Sequence, residues 1–208
     1  MSDERRHEWE HRHRVGTHGG APSPFVVAAL DALARRHGGA SAPRRALDVA
    51  CGGGRHACLL AARGYRVVAV DYAYAAVAAL RARVAGHAVD ALVADVTQWP
   101  LPRARFDLVV VVDFLERSLF PALRAAVAPG GALVIETFLV GQERHGHPRN
   151  PAYLLRPGEL AAVCGHWTIL LAHEGETGGA APACRAGIVA ERPSLVDSAE
   201  PFGSYPSR

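Results

Sequence analysis

Three aspartates stand on or beside consecutive apolar runs. Asp48 lies within Ala46-Leu47-Asp48-Val49-Ala50, Asp71 closes Val67-Val68-Ala69-Val70-Asp71, and Asp95 follows the run ending at Ala94. Between the first two runs comes Cys51-Gly52-Gly53-Gly54-Arg55-His56. Glycines at a strand–helix junction let the backbone come close to a ligand where a Cβ would clash. A carboxylate about twenty residues further on can accept hydrogen bonds from both hydroxyls of a ribose. The spacing therefore predicts a socket for a nucleoside. It is built from Ala50, Cys51, Gly52 and Gly54 on one side and Asp71 on the other.

Gly52-Gly53-Gly54-Arg55-His56-Ala57 also fits the dinucleotide fingerprint G-x-G-x-x-A, so an NAD(P)-dependent oxidoreductase is a competing reading. Asp48 argues against it. A carboxylate four residues before the turn repels a pyrophosphate, whereas a ligand with an ammonium and a sulfonium gains from negative charge there. Asp95, followed by Val96, can accept from an adenine amino group; it can equally cap its own turn. The chain also lacks the length for a second substrate domain.

Positioning these groups requires alternating elements. The pattern predicts strands at Ala46–Ala50, Tyr65–Asp71, Ala88–Ala94, Phe106–Val112 and Ala132–Thr137. It predicts helices at His56–Arg63, Tyr74–Ala85 and Ser118–Val127, the last closed by Pro129-Gly130-Gly131. An earlier helix begins after Pro22-Ser23-Pro24, with Ser23 as its cap and Val26, Leu30 and Leu33 on one face. Such alternation means a parallel sheet covered on both sides. The ending differs. Residues 139–157 form a long polar loop, a helix runs from the Arg156-Pro157-Gly158-Glu159-Leu160 stretch to about Val163, and strands at His166–Glu174 and Cys184–Arg192 pair antiparallel across a link too short for a crossover helix. The expected fold is an α/β, Rossmann-like three-layer sandwich with a mostly parallel seven-stranded sheet and an antiparallel C-terminal hairpin strand. Residues 1–21 read as a polar arm, 22–192 as the domain and 193–208 as a disordered tail.

Over residues 22–192 the chain resembles the class I S-adenosylmethionine-dependent methyltransferases. Asp48-Val49-Ala50-Cys51-Gly52-Gly53-Gly54 carries their first motif. Asp71, Asp95, Phe106-Asp107 and Pro129-Gly130-Gly131 fall where that family has its later landmarks. It is most similar to the tellurite-resistance type, related to thiopurine methyltransferases, through Trp9, Arg12 and Arg14 in the arm, Pro22-Ser23-Pro24-Phe25, and Leu155-Arg156-Pro157-Gly158-Glu159-Leu160. His13 departs from that pattern, where a tyrosine is common. The resemblance implies S-adenosyl-L-methionine as cofactor. Asp48 and the backbone of Ala50 to Gly54 would face its methionine part, Asp71 its ribose, and Tyr72, Asp95 and Val96 its adenine. Asp113 would lie near the transferable methyl, although the residue can also cap the helix that follows it. A non-catalytic module that only binds the cofactor is a further alternative.

The acceptor pocket is expected beyond the carboxyl ends of strands one, four and five. Its candidate walls are Phe25, Phe114, Arg117, Glu136, Phe138, His145, His147, Arg149 and Asn150. Arg144, His145, His147 and Arg149 can draw in an anion; the same loop reads equally well as a solvated one. No catalytic residue is assigned. The expected acceptor is a small molecule, such as a thiol, selenium or tellurium species, and a soft anion of that kind needs no base.

Composition narrows the field further. All 23 basic residues are arginine, yet they are scattered and the net charge is only +3, so no nucleic-acid partner is expected. Cys51, Cys58, Cys164 and Cys184 form no C-x-x-C pair and read as reduced thiols of a cytoplasmic protein. Cys51 reads as packed rather than nucleophilic. No apolar signal core or membrane-length run is present. His7, His11 and His13 lack the further ligands that a metal site requires, so no metal is expected.

Overall fold

The computed structural model describes residues 20–38, 44–84, 86, 88–178 and 182–194. The N-terminal arm with Trp9, Arg12, His13 and Arg14, and the tail beyond Ser194, lie outside the described residues.

Seven strands form one sheet in the order β3-β2-β1-β4-β5-β7-β6. They are β1 Arg44–Val49, β2 Tyr65–Asp71, β3 Val89–Val93, β4 Phe106–Val112, β5 Val127–Phe138, β6 Thr168–Thr177 and β7 Ala183–Glu191. Pairing is parallel from β3 through to β5, while β7 runs antiparallel to both β5 and β6. The expected architecture is therefore present, with β7 as its one reversed strand. Among the described residues five α-helices accompany the sheet: α1 Pro24–His37, α2 Arg55–Ala62, α3 Tyr74–Arg83, α4 Phe120–Ala126 and α5 Glu159–Cys164.

The local chemistry explains these boundaries. Ser23 caps α1 by accepting the Phe25 N–H at 3.1 Å, Pro24 occupies the first turn, and Gly38 ends the helix with φ of 60°. The buried stripe of α1 is Val26, Ala29, Leu30 and Leu33. It packs with residues of α2 and α3 over one face of the sheet. Leu123, Leu160, Cys164 and Trp167 cover the other face. β1 and β4, central and apolar on both faces, have the near-continuous burial expected of inner parallel strands. Among the described residues no helix is long and apolar enough to cross a membrane.

Most strand and helix ends lie within three residues of the sequence reading, and two segments differ more. β5 starts at Val127 and runs through Pro129-Gly130-Gly131, because Phe106 already pairs with Val127 and the register shifts before Leu108. The segment expected as one helix from Ser118 divides into a 3-10 turn, Arg117–Leu119, followed by α4. Pro121 at the start of α4 supplies no N–H there, which suits a helix beginning anew at that point.

Candidate functional site

The strand order reverses between β1 and β4, and this is where an open α/β sheet leaves a crevice. Each strand is followed there by a non-glycine residue in the left-handed region, Ala50 at φ 54° and Asp113 at φ 58°. Such conformations cost of order 1 kcal/mol or more and persist where the surrounding structure holds them.

The glycine turn is fixed by its neighbours. The Cys51 N–H donates to the Val70 carbonyl at 3.0 Å, and the Gly54 N–H closes the turn on the Cys51 carbonyl at 2.9 Å. The Gly52 N–H donates to Asp71 Oδ2 at 2.8 Å, while the Ala73 N–H donates to Asp71 Oδ1 at 2.9 Å. Asp71 thus ties the turn after β1 to the start of α3. Gly54 has φ 79°, and a Cβ there would lie 2.1 Å from Leu80 Cδ1. Its glycine is required for packing α2 against α3.

Asp48 is 1% exposed. Its Oδ2 has no hydrogen-bond partner among the described residues. Burial raises its pKa to about 7, opposed by the Ala57 N–H and by Arg55, and assisted by the nearby Asp71 charge. Burial, with the Asp48 and Asp71 carboxylates, also pushes the Cys51 thiol well up. Cys51 is accordingly a packed thiol rather than a nucleophile.

The remaining sequence candidates take varied positions. Asp95 accepts the Thr97 N–H at 2.9 Å and the Thr97 hydroxyl at 2.7 Å, so it caps its own turn. Burial opposes ionisation there, but these bonds outweigh it and hold the carboxyl below its ordinary value. Val96 is buried, and Tyr72 directly follows Asp71. Asp113 does not cap the following helix; Glu116 does that, accepting the Ser118 N–H. The Asp113 carboxylate instead pairs with Arg55 at 2.6 Å and with Arg185.

Arg117 clamps rather than lines a pocket. Its guanidinium meets Glu159 at 2.6 and 2.9 Å and donates to the Ala152 and Leu154 carbonyls. This anchors residues 151–159. His145 faces Glu176 at 3.2 Å, and His147 and Arg149 are exposed on the same loop. Gln142 pins that loop, accepting the Cys184 N–H at 2.8 Å and donating to the His147 carbonyl at 3.0 Å.

Sequence reasoning named Phe25, Glu136 and Phe138 as pocket walls but missed His173, Arg185 and Gly187, which join them in a row across the sheet. Glu136, Gly187 and His173 are register partners on β5, β7 and β6. A Cβ on Gly187 would lie 2.8 Å from both His173 Nε2 and Phe25 Cε1, so only glycine leaves them room. Glu136 is 4% exposed. It accepts from the Ser23 hydroxyl, sits 3.3 Å from Arg185 Nε and 3.7 Å from His173 Nε2. The Arg185 guanidinium also lies over the Phe138 ring, 4.5 Å from its centroid. Ser23 donates its backbone N–H to His56 Nε2 at 3.1 Å; burial and the Arg55 charge lower that imidazole to about 4 and keep it neutral. The signals available in the sequence were Glu136 and Arg185, each a charge inside an otherwise apolar strand run.

Residues 46–131 match a family described as a methyltransferase domain. An uncharacterised methyltransferase of Mycobacterium tuberculosis (strain ATCC 25618 / H37Rv) is 36% identical over 105 residues, 48% of this chain and 53% of that protein. A trans-aconitate 2-methyltransferase of Paracidovorax citrulli is 36% identical over 104 residues, 46% of this chain and 39% of that protein. The chain thus spans about half the length, or less, of the curated relatives it matches. Among solved structures, TehB from Haemophilus influenzae superposes with a TM-score of 0.67 at 19% identity, covering 80% of this chain and 62% of its own. Residues 46–131 are thus similar in sequence to a methyltransferase domain, and the chain shares the fold of TehB.

Proposed function

We propose that this chain transfers a methyl group from S-adenosyl-L-methionine to a small acceptor molecule. The observation that carries the reading is Asp48, a fully buried carboxylate with an unpartnered oxygen beside the glycine turn. A buried polar atom left unbonded costs about 1–3 kcal/mol, and more when charged. A cationic ligand end repays that cost and a pyrophosphate aggravates it, so the donor set fits the ammonium and sulfonium of this cofactor better than NAD.

In this reading Asp48 and the Ala50–Gly54 backbone, including Cys51, Gly52 and Gly54, hold the methionine end. Asp71 takes the ribose, with Tyr72, Asp95 and Val96 around the adenine. When bound, the cofactor supplies an electrophilic methyl, which the acceptor atom receives by in-line displacement while the sulfonium leaves as a thioether. Asp113 at the end of β4 lies near that methyl. The acceptor then sits between the glycine turn and the row Phe25, Glu136, Phe138, His173 and Arg185. These residues orient it and exclude water. The loop residues His145, His147 and Arg149 form the outer rim, and Arg117 holds the loop from behind. A small acceptor also suits the name of one similar protein, a trans-aconitate 2-methyltransferase.

The test is an acceptor panel of thiols, selenium and tellurium oxyanions, small carboxylic acids, phenols and amines, with S-adenosylhomocysteine release as readout. Release that depends on one of these acceptors is expected. Cofactor binding with no release across the panel would favour a binding module instead.

A further inference from the structure

The opposite end of the sheet carries a second concave site. Arg103 precedes β4, His166 and Trp167 precede β6, Arg192 follows β7, and Arg124 lies on α4. These side chains line one hollow of about 350 Å³. β4 and β6 begin at this pole and β7 ends there, so the hollow is at the far end of the strands from the glycine turn.

Arg36, Arg55, Arg63, Arg117, Arg144 and Arg185 each pair with a carboxylate. The hollow gathers three guanidiniums and an imidazole, and among the described residues no carboxylate lines it. Arg124 lies over the Trp167 ring, 5.4 Å from the centroid, and its Nε is buried with no hydrogen-bond partner among the described residues. Arg192 is held from one side, donating to the Val127 carbonyl at 2.6 Å. A buried guanidinium N–H left unbonded beside other cations is costly. An anion with several acceptor oxygens relieves the mutual repulsion of the guanidiniums that line the hollow.

We propose that this hollow binds the phosphate or diphosphate group of a small molecule. A guanidinium fork matches phosphate oxygens two at a time, and a phosphate group carries the charge to answer more than one arginine. The volume exceeds the needs of a bare phosphate and lies at the small end of ordinary ligand sites, leaving room for a compact organic remainder. The site is independent of the cofactor turn and of the methyl-transfer reading.

The experiment is isothermal titration of the full chain at about 0.15 M chloride, a salt level that screens loose surface attraction. The probes are inorganic pyrophosphate, inorganic phosphate, ribose 5-phosphate and, as a carboxylate of comparable charge, tricarballylate. Pyrophosphate or ribose 5-phosphate is expected to bind with a dissociation constant below about 1 mM, and tricarballylate at least about tenfold more weakly. Arg124→Gln and Arg103→Ala should each weaken the phosphate ligand about tenfold or more, whereas Arg63→Ala, outside the hollow, should not. Arg103 is exposed, so its removal spares the core and keeps the test valid if Arg124→Gln fails to fold. Absence of binding by all three phosphate probes overturns the proposal. So does equal binding by Arg103→Ala, or equal loss in Arg63→Ala.

Discussion

The backbone N–H of Gly52 donates to the Asp71 carboxylate at 2.8 Å, joining residues nineteen positions apart. The bond makes the turn after β1 and the end of β2 one unit, and the Ala73 N–H on the other oxygen extends it into α3. The carboxylate therefore shapes the turn as well as facing the proposed ribose.

Asp71→Asn should separate these effects. It retains the side-chain carbonyl for one backbone donor but leaves the other facing an amide. Destabilisation of about 1–3 kcal/mol is expected from the mismatched buried donor. S-adenosylhomocysteine affinity should fall at least about tenfold, as expected when a charged acceptor for two hydroxyls is lost. Unchanged affinity in a folded variant would remove Asp71 from the ribose site.

Asp48 and His56 should impose opposite pH dependences on stability. The Asp48 pKa rises from 3.8 to about 7 on folding, so the native state binds the extra proton between these values. Its contribution is fully present below pH 3.8 and is lost as pH rises through 7. His56 falls from 6.5 to about 4, so its contribution is present above pH 6.5 and is lost as pH falls through 4. Each term is on the order of 3–4 kcal/mol at its limit. Relative to the unsubstituted chain, Asp48→Asn should gain stability as pH rises from 4 to 7, and His56→Gln should lose it over the same range. Urea unfolding at several pH values measures both slopes, and parallel curves for all three proteins would contradict the assignment.

Gly187→Ala should impair turnover while sparing the cofactor. The added methyl meets His173 and Phe25 at 2.8 Å, on the acceptor side only. Turnover should drop by about tenfold or more, with S-adenosylhomocysteine affinity within about twofold of the starting value. Equal loss of both would place the row outside the acceptor pocket.

Arg117 and Arg185 should behave differently although both are paired arginines. Arg117→Met releases a clamp and should cost roughly 1–2 kcal/mol of stability. Its effect on acceptor KM should be small. Arg185→Gln leaves Asp113 and Glu136 short of a partner at the crevice and should raise KM or lower kcat. Thermal unfolding beside steady-state kinetics distinguishes them, and a pure KM effect for Arg117→Met would return that residue to the pocket wall.

The sequence reading was strongest where chemistry is local. Asp48, the glycines and Asp71 stand within one strand–turn–helix–strand unit, so their spacing alone brings them together. The same locality made Asp95 ambiguous, since an aspartate that can face a ligand can also bond Thr97 two residues on, and here it does. Contacts that depend on distant strands were not legible. Glu136 meets His173 only because β7 inserts between β5 and β6 and presents a glycine at that level. Asp113 was read as a possible helix cap, but its left-handed backbone aims the carboxylate at Arg55 and Arg185 from other elements. From sequence Arg117 reads as a pocket wall, because no pattern announces that Glu159, forty-two residues away, claims its guanidinium.

The most direct measurement is calorimetric titration of the full chain with S-adenosylhomocysteine and, separately, with NAD and NADP. Saturable one-to-one binding of S-adenosylhomocysteine is predicted, strengthening as pH rises through 7 because a protonated Asp48 cannot meet an ammonium as a charge. No binding of either dinucleotide is predicted. Binding of NAD or NADP without binding of S-adenosylhomocysteine would contradict the account.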